Sequence, residues 1–388
     1  MDKLKHGVFV APFHDMDRDP TLAIQRDLEL MEWLDRLGFD EAWIGEHHSA
    51  GFETISSPEL FIAAAAERTR RIRFGTGVVS LPYHNPLMVA NRIVQLNHMT
   101  RGRVMFGVGP GLLASDAVML GIDPAVQRDR MVQALDVILR LFAGEAVTEK
   151  TDWYELVDAR LHLLPYSRPR PEVAVASAAT PSGGRVAGQY GLSMLCVAAG
   201  VLAGFDALTT NWDIACAVAE RDGRAMSRDN LRVVLPIHLA ETREAAAAQC
   251  REGLTRYIDY MNNNMPRYKV PDGIDIVEWW TGGHYGVIGT PDDAIAAIRR
   301  LLDQQQGFGT FLAMPTNFAD WPACRRSHEL YADHVMPHFW DANRARRASY
   351  SWVTANQQEL VTKRSDATRR MFDRHEAEEA ARKAADRD

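Results

Sequence analysis

The sequence predicts a (β/α)8 barrel with insertions and a charged C-terminal extension, and three observations predict it. Short apolar runs alternate with longer stretches of helical period about eight times along the chain. The apolar runs are continuous rather than alternating, as parallel strands covered on both faces require. The 388 residues leave room for insertions beyond the ~250 residues such a barrel needs.

HGVFVAPF (6–13) is the first strand. A helix from about Thr21 to Leu37 follows, with Leu22, Leu28, Met31, Trp33 and Leu34 as its apolar stripe and Gly38 as its stop. EAWIGEHH (41–48) is the second strand, and after Pro58 a helix runs through LFIAAAAERT. IRFGTGVVS reads as a strand, NPLMVANRIVQLNHM as a helix and RVMFGVGPG as a strand. DRMVQALDVILRLFAG is a strongly periodic helix. PEVAVASAA, LSMLCVAAG and LRVVLPIHLA are further strands, each followed by a helical stretch, and GFGTFLAM is the last. The barrel domain accordingly spans 1–340. Two insertions interrupt it: 149–169, whose alternation predicts a hairpin, and 260–288, long and aromatic enough to predict a lid or cavity wall. Residues 341–388 are charged and rich in Ala, Glu, Lys and Arg towards the end, which predicts a solvated helix.

Composition removes several function classes. At 46% hydrophobic and 24% charged residues the chain is globular, and a net charge of -7 provides no basic face for a polyanion. Nucleic-acid binding is therefore not expected. Cys196, Cys216, Cys250 and Cys324 are far apart and without CxxC spacing, so they read as reduced thiols. MDKLKHGVFVAPF has too short an apolar part for a signal peptide, and no stretch has the ~20 apolar residues of a membrane span. A cytoplasmic protein is expected.

In such a barrel, chemistry sits where strands end. EAWIGEHH puts Glu46, His47 and His48 at an end, but successive strand residues face opposite ways, so parity alone does not say which histidine faces inward. The spacing lacks the His-x-His of a barrel zinc site, and no metal is expected. In GTGVVSLPYHNP (75–86), Gly75 and Gly77 clear the way for unusual torsion or for a planar ligand. GVGPG (107–111) is not a dinucleotide fingerprint, because Leu112 stands three positions after Gly109. The best phosphate candidate is ASAATPSGGRVAG (176–188): a strand ends, a helix opens near Pro181, and Thr180, Ser182 and free backbone N–H groups could converge on an anion, with Arg185 one turn on. Ordinary capping by Thr180 or Ser182 would look the same. VIGTPDDAIAAIRRLL, with Thr290 as N-cap and Pro291 in the first turn, is architecture.

Together and in this order, GFDEAWIGEHH, GTGVVSLPYHNP, TRGRVMFGVGPG, PEVAVASAATPSGGRVAGQYGL, GTPDDAIAAI and HVMPHF resemble the landmarks of the bacterial luciferase-like flavin-dependent monooxygenases, from about His6 to Phe339. Within that family the chain looks most like limonene 1,2-monooxygenases and diketocamphane-type oxygenases. The resemblance implies a (β/α)8 barrel that binds reduced FMN, with FAD or the deazaflavin F420 less favoured, at the C-terminal ends of its strands. It implies His47 as the catalytic histidine and a non-prolyl cis peptide at Gly77-Val78 beneath the isoalloxazine. Gly109 belongs to the same flavin site, and Ser177, Ala178, Thr180, Ser182 and Gly183 fall where the flavin phosphate is held. Gly109 and Pro110 replace a cysteine and an arginine of luciferase, and Ala198 replaces a bulky aromatic, so light emission is not implied.

The missing nucleotide fingerprint then suggests a two-component system in which a partner reductase delivers reduced flavin, O2 adds at C4a, and the resulting peroxyflavin oxygenates a small apolar, terpene-like substrate in a dry pocket. Trp279, Trp280 and Tyr285, with Met261 and Met265, are candidates for the wall of that pocket, or simply pack the insertion. A homodimer is expected. An F420-dependent hydride transferase and a non-catalytic flavin-binding relative are the alternatives.

Overall fold

The computed structural model describes residues 3–386 except 12, 179, 198, 200 and 201, and only the backbone of 202–206. Position 198, singled out above, thus lies outside the described residues. Eight strands form the barrel: β1 (Lys5–Val10), β2 (Glu41–Ile44), β3 (Arg73–Thr76), β4 (Val104–Gly109), β5 (Val173–Ser177), β6 (Ser193–Cys196), β7 (Leu231–Leu239) and β8 (Thr310–Met314). Each pairs in parallel with the next, and β8 returns to β1, so the sheet closes in chain order. Closure removes the free edges that an open parallel sheet would leave. Helices occupy the connections, and the first, Pro20–Leu37, shows how their ends are set: Asp19 caps it by accepting from the Leu22 amide, and Gly38 stops it at φ 89°. Its stripe differs from expectation in two places. Leu22 is exposed and Trp33 only half-buried, whereas Ala23, Leu28, Leu30, Met31 and Leu34 are buried.

The barrel interior is layered. Phe9, Trp43, Met105, Ala174, Leu195, Val234 and Leu312 form one cluster. Trp43 is fully buried there, and two glycines make its place. A Cβ on Gly75 would lie 2.3 Å from the indole, and one on Gly107 would lie 2.9 Å from it and 1.9 Å from the Thr76 carbonyl. Gly75 therefore serves the core rather than a planar ligand. Below this layer Glu41 accepts from Arg232 Nε at 2.7 Å and Nη2 at 2.9 Å, while Arg232 also pairs with Glu172 at 2.7 Å. The Arg232 guanidinium sits 5.0 Å from the Trp43 ring centre. This ion cluster lies at the N-terminal end of the strands and plugs the barrel.

IRFGTGVVS is not one strand. It breaks after Thr76 at a cis peptide between Gly77 and Val78, and Val79–Ser80 then pairs with the end of β4. The first insertion is the expected hairpin, Val147–Lys150 against Glu155–Ala159. In the second, the helix Arg243–Asn264 extends into the insertion and a short helix, Ile276–Gly282, follows. Trp280, Tyr257, Tyr268 and Phe318 are buried against one another, with Trp279, Tyr285 and Met265 packed on them. These aromatics are a local core. Among the described residues no helix is long and apolar enough to cross a membrane. The chain divides into two compact units, Met1–Met336 and Pro337–Asp388. The second contains the helices Arg344–Ala355 and Gln357–Ala385, neither of which has a buried residue.

Candidate active site

Trp43 points into the barrel core, but the strand ends at Ile44, so His47 and His48 are placed by their contacts and not by strand parity. The loop that carries His47 is pinned by its own backbone, because the His47 amide donates to Ile55 O at 3.1 Å. His47 Nδ1 lies 3.0 Å from Asp116 Oδ2. Asp116 stands on the short helix Ala114–Met119 that follows β4, and its other oxygen accepts from the His48 amide at 3.1 Å and the Ser49 hydroxyl at 2.5 Å. On the far side of the ring, Nε2 is 3.5 Å from Glu53 Oε2. The His47 side chain is 12% exposed, that of Asp116 1% and that of Glu53 11%.

The charges of this group follow from those contacts. For Asp116, burial favours the neutral form, but the bonds from His47, Ser49 and the His48 amide outweigh it and hold the carboxyl below its ordinary value. An ionised Asp116 only accepts, so it assigns the proton to Nδ1 of His47. Burial pulls His47 towards the neutral form, yet the Asp116 bond and the charges of Glu53, Asp116 and Glu46 win, and its pKa is raised. Glu53 is raised as well, chiefly by burial, with the His47 charge offsetting part of it and Asp116 adding to it.

A second node lies beside the first. Buried Glu46 accepts from His48 Nε2 at 2.9 Å and His84 Nε2 at 2.7 Å on one oxygen, and from the Ser80 amide at 2.6 Å on the other. Burial alone would raise its pKa; these bonds and the His84 charge hold it at about 2. Glu46 thereby ties the end of β2 to the loop after β3. The ligand atoms of Glu46, His48 and His84 lie within 4.8 Å of one another, close enough to hold a metal ion. Here they are engaged in direct hydrogen bonds among themselves.

Above the Trp43 layer the core stops short. Ala11, Val78, Val197 and Met314 pack on it from above and are each only partly buried. They form an apolar floor at the C-terminal mouth. Gly109 keeps Val78 in that floor, since a Cβ on Gly109 would meet Val78 Cγ2 at 2.6 Å. Phe13, Phe52 and Tyr260 pack ring on ring beside the Glu53 loop, with centroids 4.3 to 5.2 Å apart. At the end of β5, Ser177 is buried and its hydroxyl accepts from Asn211 Nδ2 at 3.1 Å, while the Ala178 carbonyl accepts from the same amide at 2.7 Å. Ser177 thus braces the loop from below. The helix Ser182–Tyr190 begins with Pro181 in the cap position and no side-chain cap. Thr180 and Ser182 are spared that role, and their exposed hydroxyls lie 2.9 Å apart. Gly183 lets this helix approach the barrel strand closely and Gly184 the neighbouring helix Leu202–Arg221, because their Cβ atoms would lie 2.4 Å from Ala176 O and 2.2 Å from Asn211 O. Arg185 is exposed.

Asp116, Glu53 and His84 were not legible as site residues. Asp116 is one aspartate on a short helix whose local pattern shows nothing more than a helix start, and Glu53 lies in a loop of no recognisable motif.

A closed parallel barrel with an imidazole bracketed by carboxylates above an apolar floor at its C-terminal mouth has the build of a (β/α)8 barrel enzyme. The chain belongs to the luciferase-like monooxygenase family, whose sequence pattern matches residues 4–305. It is 47% identical over 338 residues to limonene 1,2-monooxygenase of Rhodococcus erythropolis, covering 87% of each chain. It is 45% identical over 359 residues to 4-hydroxyprotoasukamycin monooxygenase of Streptomyces nodosus subsp. asukaensis, covering 91% of this chain and 97% of that one. Among solved structures it resembles the oxygenating constituent of 3,6-diketocamphane monooxygenase from Pseudomonas putida, a type II Baeyer-Villiger monooxygenase in complex with FMN. The TM-score there is 0.71 at 23% identity, over 86% of this chain and 98% of that one. The protein is a monooxygenase of this family.

Proposed function

We propose that the protein is the oxygenating component of a two-component flavin-dependent monooxygenase, taking reduced FMN from a separate reductase and using O2 to oxygenate a small apolar, terpene-like molecule. The observation that carries the reading is His47, held between Asp116 and Glu53 beside a floor of partly exposed apolar side chains. That surface fits a flat ring system. Gly77, Val78 and Gly109 would lie under the ring, and Thr180, Ser182 and the first amides of the helix Ser182–Tyr190 would take the phosphate, with Ala178 and Gly183 shaping the loop between. Bound reduced flavin supplies two electrons and activates O2 at its C4a carbon.

The chain's own part is to keep water out and to place a proton. Apolar side chains at the mouth exclude water, which strengthens every polar contact within. With its pKa raised, His47 holds its proton to higher pH than a free imidazole does, and in the charged form it presents an N–H from Nε2, so it enters the reaction as a donor and becomes an acceptor only after giving that proton up. The apolar floor and the names borne by the relatives above support an apolar substrate.

The test is direct: supply chemically reduced FMN and 18O2 with a panel of monoterpenes and cyclic ketones, and look for one labelled oxygen in the products by mass spectrometry. Turnover of a substrate with reduced F420 and no label would replace this reading with hydride transfer.

A further inference from the structure

We propose that Glu53 is a positioning residue that fixes the charge of His47, holding a proton in the gap between its own Oε2 and the ring's Nε2. Three observations carry it. First, the backbone around Glu53 is fixed: Glu53 forms an antiparallel bridge with Phe13, the His14 amide donates to Phe52 O at 2.8 Å, and the His47 amide donates to Ile55 O. Second, Glu53 is nearly buried, and His47 Nε2 at 3.5 Å is its only ion-pair partner among the described residues. Asp116, by contrast, is supplied with the Nδ1, Ser49 and His48 donors. Third, Tyr260 on the helix Arg243–Asn264 packs against Phe13 and Phe52, and its buried hydroxyl has no hydrogen-bond partner among the described residues. The wall of this loop thus holds one unpaired hydroxyl, and among the described residues it makes no hydrogen bond to Glu53.

A nearly buried carboxylate whose one ion-pair partner among the described residues is an imidazole is costly unless a proton lies between the two. Either Nε2 carries it and Glu53 is an anion, or Oε2 carries it and the ring is neutral; both states keep the proton at the mouth. The other titratable groups that bear on His47 and Glu53 are Asp116 from the helix after β4, Glu46 and His48 beside His47 itself, and Tyr257 and Tyr260 from the helix Arg243–Asn264. Of these, only Asp116 touches the ring, and it does so on the opposite nitrogen.

The inference rests on the oxygenase reading only for its catalytic consequence, so the first experiment uses the flavin-free protein. Titration of His47 by NMR in wild type and Glu53→Gln should show the midpoint falling by about one pH unit in the variant, with unchanged circular dichroism. Glu53→Asp should restore part of the fall. An unchanged midpoint in folded Glu53→Gln overturns the proposal and assigns the charge to Asp116 alone. Should Glu53→Gln not fold, the 13C-carboxyl titration of Glu53 in wild type decides: its curve must show a step at the His47 midpoint, and a single independent step refutes the coupling. In the oxygenase assay the alkaline limb of the kcat profile should move to lower pH by the same amount, with the rate on its acid side retained. Absence of any oxygenation with the NMR shift present would count against the proposed function and leave the Glu53 assignment standing.

Discussion

Asp116→Asn tests how the site is held. Asp116 takes three donors: His47 Nδ1 at 3.0 Å, the His48 amide at 3.1 Å and the Ser49 hydroxyl at 2.5 Å. An asparagine offers one accepting oxygen and one NH2, so one side must now present hydrogens to a former donor. Facing the NH2 to the His48 amide would leave a backbone N–H unpaired, a cost of about 1–3 kcal/mol. Facing it to His47 is cheaper, because the ring can give up its Nδ1 proton and accept instead. The result is a neutral ring with its remaining proton on Nε2. Losing both the charge and the bond that raise the His47 pKa should lower its midpoint by roughly one to two pH units. Above both midpoints the protonated fraction falls tenfold per unit, so kcat on the alkaline limb of the wild-type profile should fall about 10- to 100-fold and recover as the pH is lowered. The assay is kcat against pH with reduced FMN supplied in excess, paired with thermal unfolding to show that the fold persists. Superimposable pH profiles for wild type and Asp116→Asn would refute the assignment of His47 as a proton donor held by Asp116.

Three further outcomes follow from the same geometry. Glu46→Gln should flatten the acid limb of stability: the native carboxyl titrates at about 2 rather than at its ordinary value near 4.5, so its contribution is full above that ordinary value and lost as pH falls towards 2, and urea midpoints between pH 2 and 5 read the difference. Gly107→Ala would set a Cβ 1.9 Å from Thr76 O and 2.9 Å from Trp43, costing about 1–3 kcal/mol or more in urea denaturation, with a shift in the Trp43 fluorescence; an unchanged midpoint would show that the barrel yields at no cost. Arg232→Met removes the two strongest donors of buried Glu41 and leaves it the Trp43 indole N–H at 3.0 Å and Arg73 at 3.7 Å, which should cost up to about 3–5 kcal/mol while the NMR titration of His47 stays where it was.

The barrel was legible because its signals are repetitive and local. Continuous apolar strands, helices stopped by residues such as Gly38, and about eight repeats of the pair leave few ways to close a parallel sheet. Strand parity names a pair of histidines and not a member of it, and the expectation of His47 rests on the resemblance alone. The companions of His47 were illegible for a physical reason. Asp116 is 69 residues away and Glu53 reaches the ring through a loop, so each is chosen by where a turn ends in space and leaves no periodicity behind. For Trp279, Trp280 and Tyr285 the sequence left two readings, a cavity wall or packing within the insertion, and the rings do pack on one another and on Tyr257 and Tyr268.

Gly75 and Gly77 show why a glycine motif cannot be read for function position by position. They are two residues apart on one inward face, yet the first is required by the Trp43 indole beneath it, and the second belongs to the cis link that ends the strand. The two roles are joined through Trp43. Its ring fills the layer under Val78, Gly77 rests on its Cβ and on Phe9, and Gly107 clears its far side. The height of the floor is therefore set by one tryptophan and by glycines of the two strands that follow it. His47 follows that tryptophan by four residues, in the loop after the strand has ended at Ile44. A change of volume at position 43 would then move the floor relative to the imidazole without touching any polar group of the site, which makes the indole a determinant of the site's geometry and not merely of its stability.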